Sequence, residues 1–493
     1  MRASVFIVSL LCCGLVAIAG IAMPKQVTEA IQALVSATFD GFDWFYLLVT
    51  AGLLVLAAGM ALSPWGSLKL GRPEDEPEFS TASWLSMLFA AGMGSGLVFW
   101  GVAEPLWHFT SPPPGQTAGT AEAARQALVV TNFHWGLHAW AIYGVGALVL
   151  AWFGFAKGRG FLPSAPITTV FPRLSWLGAV ADVIAVVSVV FGVAASLGMG
   201  TLQMRAGISE VFGTSAESIP IAVAILCTLC AAYMASASTS LDKGIRILSN
   251  LNLGIAICML LYVVAVGPTS FLMRTFTSSV GDYASQLVGL STRLYPFEGE
   301  QKWSHDWTLT YLMWWIAWVP FVGIFIARIS KGRTVRGFLI AVVCVPTIFS
   351  MLWFAVFGGT GLHIELFGPG GLGDAVVEDV TTALFTLFSH LPGSGVLSVT
   401  ALVLLFVFLV TSADSASYVL GMLTTRGDPD PPVRRKLLWG LVLTGIAAVG
   451  LLSGGGIPVL KALALVGALP FTIILLLHIV CMLKSMGQEH DER

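Results

Sequence analysis

Long apolar runs separated by short polar connections dominate this chain. A transmembrane helix needs about 20 predominantly apolar residues to cross the hydrocarbon layer of a bilayer, and runs of this kind recur throughout the sequence. The twelve candidate spans lie near residues 4–23, 44–63, 84–108, 128–153, 177–204, 217–237, 248–273, 306–327, 336–358, 396–422, 436–453 and 456–483. The pattern therefore predicts an all-α polytopic membrane protein with twelve transmembrane helices.

The amino-acid composition agrees with this interpretation and argues against other classes of protein. Of the 493 residues, 56% are hydrophobic and only 11% are charged, which is far from the balance of soluble domains. The net charge of −2 and the lack of a basic stripe with interleaved aromatic residues give no indication of nucleic-acid binding. All seven cysteines fall inside predicted spans, and Cys227 and Cys230 have no second pair nearby, so disulfides and a metal or redox role are disfavoured.

The positions of basic residues predict the orientation. Most of the 25 Lys and Arg residues fall in alternate connections, for example at 69–72, 157–159 and 328–336. Because Lys and Arg are retained on the cytoplasmic side, both termini are predicted to be cytoplasmic. We expect a multi-pass protein of the plasma membrane, or of the inner membrane of a cell with two membranes, surrounded by lipid.

Gly or Pro interrupts two of the predicted spans, and tryptophans crowd beside each interruption. The segments are GMGSGLVFWGVAEP at 92–105 and WWIAWVPFVG at 314–323. In lipid, irregular backbone survives only where it is buried in protein or lines a cavity. Paired interruptions in the two halves of a membrane protein are typical of the binding site of a transporter.

Aromatic side chains are concentrated near the middle of the spans. The residues are Trp100, Trp135, Trp140, Tyr143, Trp314, Trp315 and Trp318. At about 100° per residue, the three at 135–143 can share one broad face of a single helix. Interfacial belts explain most membrane tryptophans, but mid-span positions favour a cage, in which each desolvated cation–π contact contributes about 2 kcal/mol or more. A quaternary ammonium group, which has no hydrogen-bond donor, is the natural guest.

A second polar cluster interrupts an apolar helix at 408–417. Its members are Thr411, Ser412, Asp414, Ser415 and Ser417. Single hydroxyls often bond back to their own helix, whereas five polar groups including an ionisable one indicate function. Hydroxyls, together with carbonyls freed by the glycine-rich segment at 92–96, suit a small hard cation such as sodium.

Two histidines offer a rival interpretation from another class. His134 and His138 have the i, i+4 spacing of a helical metal site, which would suit an intramembrane metalloenzyme. No Glu lies between them, and no third ligand is evident in the sequence. We therefore interpret both as hydrogen-bonded core histidines.

Four segments resemble the signature segments of the betaine/carnitine/choline transporter family, with consistent spacing over nearly the whole chain. They are GMGSGLVFWGVAEPLWHF at 92–109, FHWGLHAWAIYG at 133–144, WWIAWVPFVGIFIARISKGRTVRGF at 314–338 and VTSADSAS at 410–417. The resemblance implies a LeuT-type fold, with two inverted five-helix repeats (helices 3–7 and 8–12) after two extra helices, commonly as a homotrimer. The implied divisions are 1–83 (extra helices and linker), 84–280 (first repeat), 281–305 (connection), 306–485 (second repeat) and 486–493 (short cytoplasmic tail).

The resemblance also implies site residues. The aromatic box of the family corresponds to Trp135, Trp140, Tyr143 and Trp315, with Trp318 beside it and with Gly94, Gly96 and Trp100 on the interrupted helix. The family's sodium site corresponds to backbone oxygens of Ala90 and Met93 and to Phe408, Thr411 and Ser412. A second sodium site is disfavoured, because the stretch FGVAASLG at 191–198 offers only Ser196.

Gly96 bears on the substrate that the resemblance implies. Choline-type members of the family tend to carry Asp at this last position of the glycine motif, where it balances a cation without its own carboxylate. We therefore expect a zwitterion such as glycine betaine, carnitine or a sulfonium analogue, carried by sodium-coupled symport with alternating access and without enzymatic activity. The alternatives are a sodium-independent substrate/product exchanger, a proton-coupled choline transporter and a membrane sensor that does not cycle.

Overall fold

The computed structural model describes residues 2–92, 94–215, 217–238, 242–453 and 455–491. Within these ranges the regular structure is helical, with no β-strand and one isolated antiparallel bridge between Lys69 and Thr334. The prediction of an all-α protein is confirmed.

The helices follow the apolar runs of the sequence. The first ten are α1 (Arg2–Ala22), α2 (Pro24–Leu62), α3 (Thr81–Gly92), α4 (Ser95–Thr110), α5 (Ala121–Trp135), α6 (Leu137–Ala151), α7 (Ser164–Val170), α8 (Ser175–Phe212), α9 (Ile219–Ser238) and α10 (Asp242–Val266). The others are α11 (Thr269–Leu290), α12 (Gln301–Ser304), α13 (Thr310–Arg328), α14 (Val335–Phe367), α15 (Leu372–Glu378), α16 (Ala383–Ser389), α17 (Ser394–Thr424), α18 (Val433–Leu452) and α19 (Gly456–Asp491). Short π-helical turns at Trp152–Ala156 and His305–Leu309 extend α6 and precede α13.

Ten helical segments in the described ranges are long and apolar enough to cross a membrane. The count rises to eleven when Asn250–Val266 and Thr269–Leu290, which are bent by 114° relative to each other, are taken as one broken span. The chain is thus a multi-pass membrane protein, as predicted. The count of twelve spans, the inverted repeats and the orientation stay predictions.

The predicted interruption at the glycine motif is present. Helix α3 ends at Gly92 and helix α4 begins at Ser95, so the run predicted at 84–108 consists of two short helices. Gly94 has an extended backbone (φ −117°, ψ −175°) immediately before α4. Met93 lies outside the described residues.

The second predicted interruption, at 314–323, is wrong. Helix α13 continues from Thr310 to Arg328 with Pro320 in its interior. Proline removes one backbone hydrogen bond and crowds the preceding turn, at a cost of about 3 kcal/mol. Dense packing of this helix, whose residues are nearly all buried, offsets that cost. Proline alone was therefore an unreliable sign of a broken span.

Central and peripheral helices differ in burial. Helices α6 and α13 pack on each other and are mostly buried, and α8 packs along α17, α18 and α19. By contrast, α1 and α9 expose apolar side chains such as Leu15, Ile18 and Ile219. In a membrane protein these surfaces face lipid or another subunit, since neither requires polar side chains.

A short backbone pairing ties the connection before α3 to the connection after α13. Leu70 N–H donates to the Arg333 carbonyl (2.8 Å), and Gly332 N–H donates to the Leu70 carbonyl (2.8 Å). The Arg333 guanidinium lies 3.9 Å from the ring centre of Trp84, whose indole N–H donates to the Ser330 hydroxyl (3.0 Å). These contacts fix the start of α3 against the end of α13.

Candidate functional site

A cavity lined mainly by aromatic side chains lies among α4, α6, α8 and α13. Its wall consists of Gly94, Ser95, Gly96, Leu97, Phe99, Trp100, Trp135, Ala139, Trp140, Tyr143, Ser196, Met199, Gly200, Tyr311, Trp314, Trp315, Trp318 and Ser350. The eight residues that the sequence assigned to substrate binding are all in this wall. Among the described residues that form it, none carries a charge.

Four rings of the predicted box form a continuous chain of edge-to-face contacts. Trp315 contacts both Trp135 (centroids 4.8 Å apart) and Tyr143 (6.0 Å), and Tyr143 contacts Trp140 (5.6 Å). The interplanar angles are 69° to 70°, so the edge of one ring points at the face of the next. Faces that remain open toward the cavity present the negative part of the ring quadrupole to a guest.

The box depends on a helix break that the sequence analysis did not predict. Helix α5 ends at Trp135 and α6 begins at Leu137, with Gly136 between them at φ −99° and ψ −133°. The assumption that Trp135 and Trp140 share one regular helix is therefore wrong, because the rotation between them is not set by 100° steps. A Cβ atom at position 136 would lie 2.3 Å from the Asn132 carbonyl oxygen, so the position requires glycine.

Side chains from other helices satisfy the backbone groups that the break releases. In an uninterrupted helix the His134 carbonyl would accept from the N–H four residues later. Here it accepts a hydrogen bond from the Trp315 indole N–H (2.7 Å), and the Leu137 N–H donates to the Tyr283 hydroxyl (3.1 Å). Because an unpaired backbone group is costly in an apolar interior, these bonds fix Trp315 against α5.

Glu104, which the sequence analysis did not assign, supports the opposite side of the box. One carboxylate oxygen accepts from the Trp135 indole N–H (2.7 Å), and the other lies 2.6 Å from His134 Nδ1. The second His134 nitrogen is 3.0 Å from the Thr308 hydroxyl. Glu104 is fully buried. A lone carboxylate inside an apolar span was the available signal, since such groups are rarely placed in membranes without a role.

Glu104, His108 and His134 bring ligand-type atoms within 4.8 Å of one another. The carboxylate already accepts the Trp135 indole N–H, and the ammonium group of Lys461 adds a positive charge close by. A divalent cation would add to that charge in a buried region. We therefore interpret Glu104 and His134 as a support of the box, with His108 Nε2 3.4 Å from the same carboxylate. His138 is not part of it and instead lies 3.0 Å from the Ser291 hydroxyl.

The hydroxyl residues predicted to bind sodium lie next to each other on α17. Phe408 is buried, whereas Thr411 and Ser412 are half-buried. The Thr411 hydroxyl donates back to its own helix, to the carbonyls of Val407 (2.9 Å) and Phe408 (3.2 Å). The other two predicted ligands are backbone oxygens. That of Ala90 belongs to α3, and that of Met93 lies outside the described residues.

The rest of the polar cluster on α17 faces elsewhere. Asp414 accepts a hydrogen bond from the Ser236 hydroxyl on α9 (3.3 Å), and the Ser417 hydroxyl donates to the Asp414 carbonyl (2.8 Å). Ser196 of α8 lines the aromatic cavity, and its hydroxyl donates to the Gly192 carbonyl (3.4 Å). The five polar groups at 411–417 thus do not form a single site.

Replacing Gly136 with Ala should destabilise the folded protein. The added methyl group would clash with the Asn132 carbonyl, and forced overpacking costs about 1–3 kcal/mol. We expect a lower melting temperature of the purified protein in detergent. Gly144→Ala is the matched control, because its methyl would meet neighbours at an ordinary 3.5 Å. Equal melting temperatures for the two variants would contradict the assigned role of Gly136.

Comparison with known proteins places this architecture in a family. The family model described as "BCCT, betaine/carnitine/choline family transporter" matches residues 4–491. The chain is 41% identical over 492 residues to an ectoine/hydroxyectoine transporter of Virgibacillus pantothenticus, covering 99% of this chain and 98% of that protein. It is also 41% identical to the glycine betaine transporter OpuD of Bacillus subtilis (strain 168), covering 96% and 92%.

A third relative is described as having a broader range of substrates. It is the glycine betaine/proline/choline/ectoine transporter VP1456 of Vibrio parahaemolyticus, which is 37% identical over 94% of this chain and 84% of its own length. These relatives are transporters, not enzymes. The family match over almost the entire length shows that this chain belongs to the betaine/carnitine/choline transporter family.

Proposed function

We propose that this protein is a secondary active transporter for a zwitterion with a bulky, weakly hydrated cationic group. Glycine betaine is the reference substrate, with carnitine and sulfonium analogues in the same class. The proposal rests on the cavity wall. Among the described residues, this wall contains Trp and Tyr rings and no charged side chain.

Cation–π attraction explains why such a wall suits an onium group. Trimethylammonium spreads its charge over methyl groups and donates no hydrogen bonds, so desolvation costs it less than it costs a primary ammonium. Each desolvated contact with a ring face contributes about 2 kcal/mol or more. Trp135, Trp140, Tyr143 and Trp315 are close enough to surround one such group.

Ectoine is a second candidate substrate. Its positive charge is delocalised over a ring amidinium, which also favours an aromatic face over a point counter-charge. The similarity to an ectoine/hydroxyectoine transporter extends over almost the whole chain. The preferred substrate is identified by measuring uptake of labelled glycine betaine and of labelled ectoine into proteoliposomes, each in competition with the other compound.

Coupling to sodium is the proposed source of energy. The hydroxyls of Thr411 and Ser412, with the Phe408 carbonyl and backbone oxygens of α3, would supply hard oxygen ligands for the ion. Sodium bound there would contribute a positive charge that joins α3 to α17. Uptake driven by an imposed sodium gradient, rather than by a proton gradient or by internal substrate, distinguishes symport from the proton-coupled and exchange alternatives.

Transport itself is proposed to follow alternating access. In this scheme two inverted five-helix repeats, contained in twelve spans with both termini in the cytoplasm, move around the aromatic cavity. A homotrimer is the proposed assembly. Counterflow of labelled glycine betaine in proteoliposomes separates a carrier from a sensor that binds ligand without cycling.

Removal of two rings from the box should abolish tight binding. For Trp140→Leu combined with Trp315→Leu, we expect the dissociation constant of glycine betaine to rise at least hundredfold, because two contacts worth about 2 kcal/mol each are lost. Trp140→Phe with Trp315→Phe, which keeps an aromatic face at both positions, should retain most of the affinity. Unchanged affinity in a folded leucine double variant would contradict the proposal.

Loss of the two hydroxyls on α17 should weaken the response to sodium. Thr411→Ala with Ser412→Ala is expected to raise the sodium concentration for half-maximal uptake tenfold or more. Ser417→Ala is the control, because Ser417 lies on the same helix and loses a hydroxyl of the same kind, but is not assigned to the sodium site. A double variant with the sodium dependence of the parent protein would exclude this site.

A carboxylate at position 96 should shift selectivity toward choline. A Cβ atom on Gly96 would lie 3.0 Å from Trp135 Cη2, so a side chain there would reach the box. Gly96→Asp should therefore increase choline uptake relative to glycine betaine, whereas Gly96→Asn, of the same shape without charge, should not. Equal choline uptake by the two variants would show that charge at this position does not set selectivity.

A further inference from the structure

One lysine side chain contacts three aromatic rings, two of which also line the cavity. The ammonium nitrogen of Lys461, near the start of α19, is 4.3 Å from the ring centre of Trp307, 4.8 Å from that of Trp100 and 5.9 Å from that of Tyr311. From the sequence, Lys461 has no assigned role and lies near the start of the predicted span 456–483. The structure places it inside the helix bundle, next to the box.

Within the described ranges, no side chain or backbone group accepts a hydrogen bond from this ammonium group. Among the described residues, Lys461 has neither a hydrogen bond nor an ion pair within 4.0 Å, and its side chain is half-buried. The carboxylates whose fields reach it are those of Glu104 and Asp306. Glu104 accepts from Trp135 and contacts His134, and Asp306 is paired with Lys302. Among the described residues, the direct contacts of the Lys461 ammonium group are thus with ring faces, and the two carboxylates act on it from beyond hydrogen-bonding distance.

Two of these rings also form part of the cavity wall. Trp100 and Tyr311 line the cavity and contact Lys461. Tyr311 in turn stacks against Trp315 of the box, with centroids 6.2 Å apart. The described wall has no charged side chain, but Lys461 and Glu104 contact its rings from behind, so both charges contribute to the field inside the cavity.

We propose that Lys461 is the positive pole of the substrate site. It attracts the carboxylate of an onium zwitterion and repels a monocation that has no carboxylate. This inference rests on the proposed function and refines it, because it adds Lys461 to Gly96 as a determinant of the discrimination between zwitterion and monocation. The aromatic box alone would bind the trimethylammonium groups of glycine betaine and choline with similar strength.

Electrostatics sets the expected size of the effect. A unit charge about 10 Å away, at an effective dielectric constant of about 20, changes the affinity for a monocation by roughly tenfold. Replacing Lys461 with a neutral residue also removes a positive charge that partly offsets the field of the Glu104 carboxylate, whose contacts with Trp135 and His134 remain. Both changes favour choline, while the zwitterion loses attraction at its carboxylate.

The test compares glycine betaine and choline, which share the trimethylammonium group. Their dissociation constants are measured by calorimetry for the full chain and for Lys461→Met, Lys461→Gln and Lys461→Arg. We expect the preference for glycine betaine over choline to fall tenfold or more in the Met and Gln variants and to persist in the Arg variant, which keeps the charge. Lys25→Met, an exposed lysine outside the cavity, should behave like the parent protein.

The outcomes separate this inference from the proposed function. If the parent protein binds glycine betaine and the folded Met and Gln variants keep its preference, the role of Lys461 is refuted while the transporter proposal stands. If the parent protein binds neither compound, both are refuted. A loss of preference in the Met, Gln and Arg variants alike would assign the effect to packing and would also overturn the role of the charge.

Discussion

The need to pair every backbone polar group in an apolar interior is the constraint on which the cavity depends. Helix α5 stops at Trp135, and the groups released at Gly136 bind the indole of Trp315 and the hydroxyl of Tyr283. The break therefore does two things at once: it turns Trp140 and Tyr143 of α6 toward the same space as Trp135, and it anchors Trp315 of α13. Because α5 ends here, the His134 carbonyl has the Trp315 indole as its partner in place of a backbone N–H of its own helix.

The charged side chains nearest to the cavity contact the aromatic rings of its wall but are not part of the wall themselves. Glu104 accepts the Trp135 indole N–H from the side away from the cavity, while Lys461 lies over Trp100 and Trp307. An aromatic wall attracts any large cation, so it does not by itself distinguish glycine betaine from choline. The fixed charges behind the wall are the means by which such a site can acquire selectivity without placing an ion in contact with the guest.

Sequence patterns predicted the class of protein and the composition of the cavity wall, because both depend on residue type. Apolar runs identified the membrane helices, and the mid-span aromatic residues came together as expected. The details of backbone geometry were less predictable. Pro320 suggested a helix break, but packing keeps α13 continuous there. The break at Gly136 was not predicted, because glycine is common inside membrane helices. Glu104 and Lys461 were missed because their roles depend on neighbours from other helices.

Calorimetric titration with two isosteric ligands tests the central claim, which is that ring faces bind the positive charge. Glycine betaine and 3,3-dimethylbutanoate have the same shape and the same carboxylate, and differ only in a quaternary nitrogen or carbon atom. The account predicts that glycine betaine binds at least about thirtyfold more tightly, equivalent to one cation–π contact of about 2 kcal/mol. Equal affinities would mean that the cavity recognises shape and apolar surface, and would contradict a cation–π site.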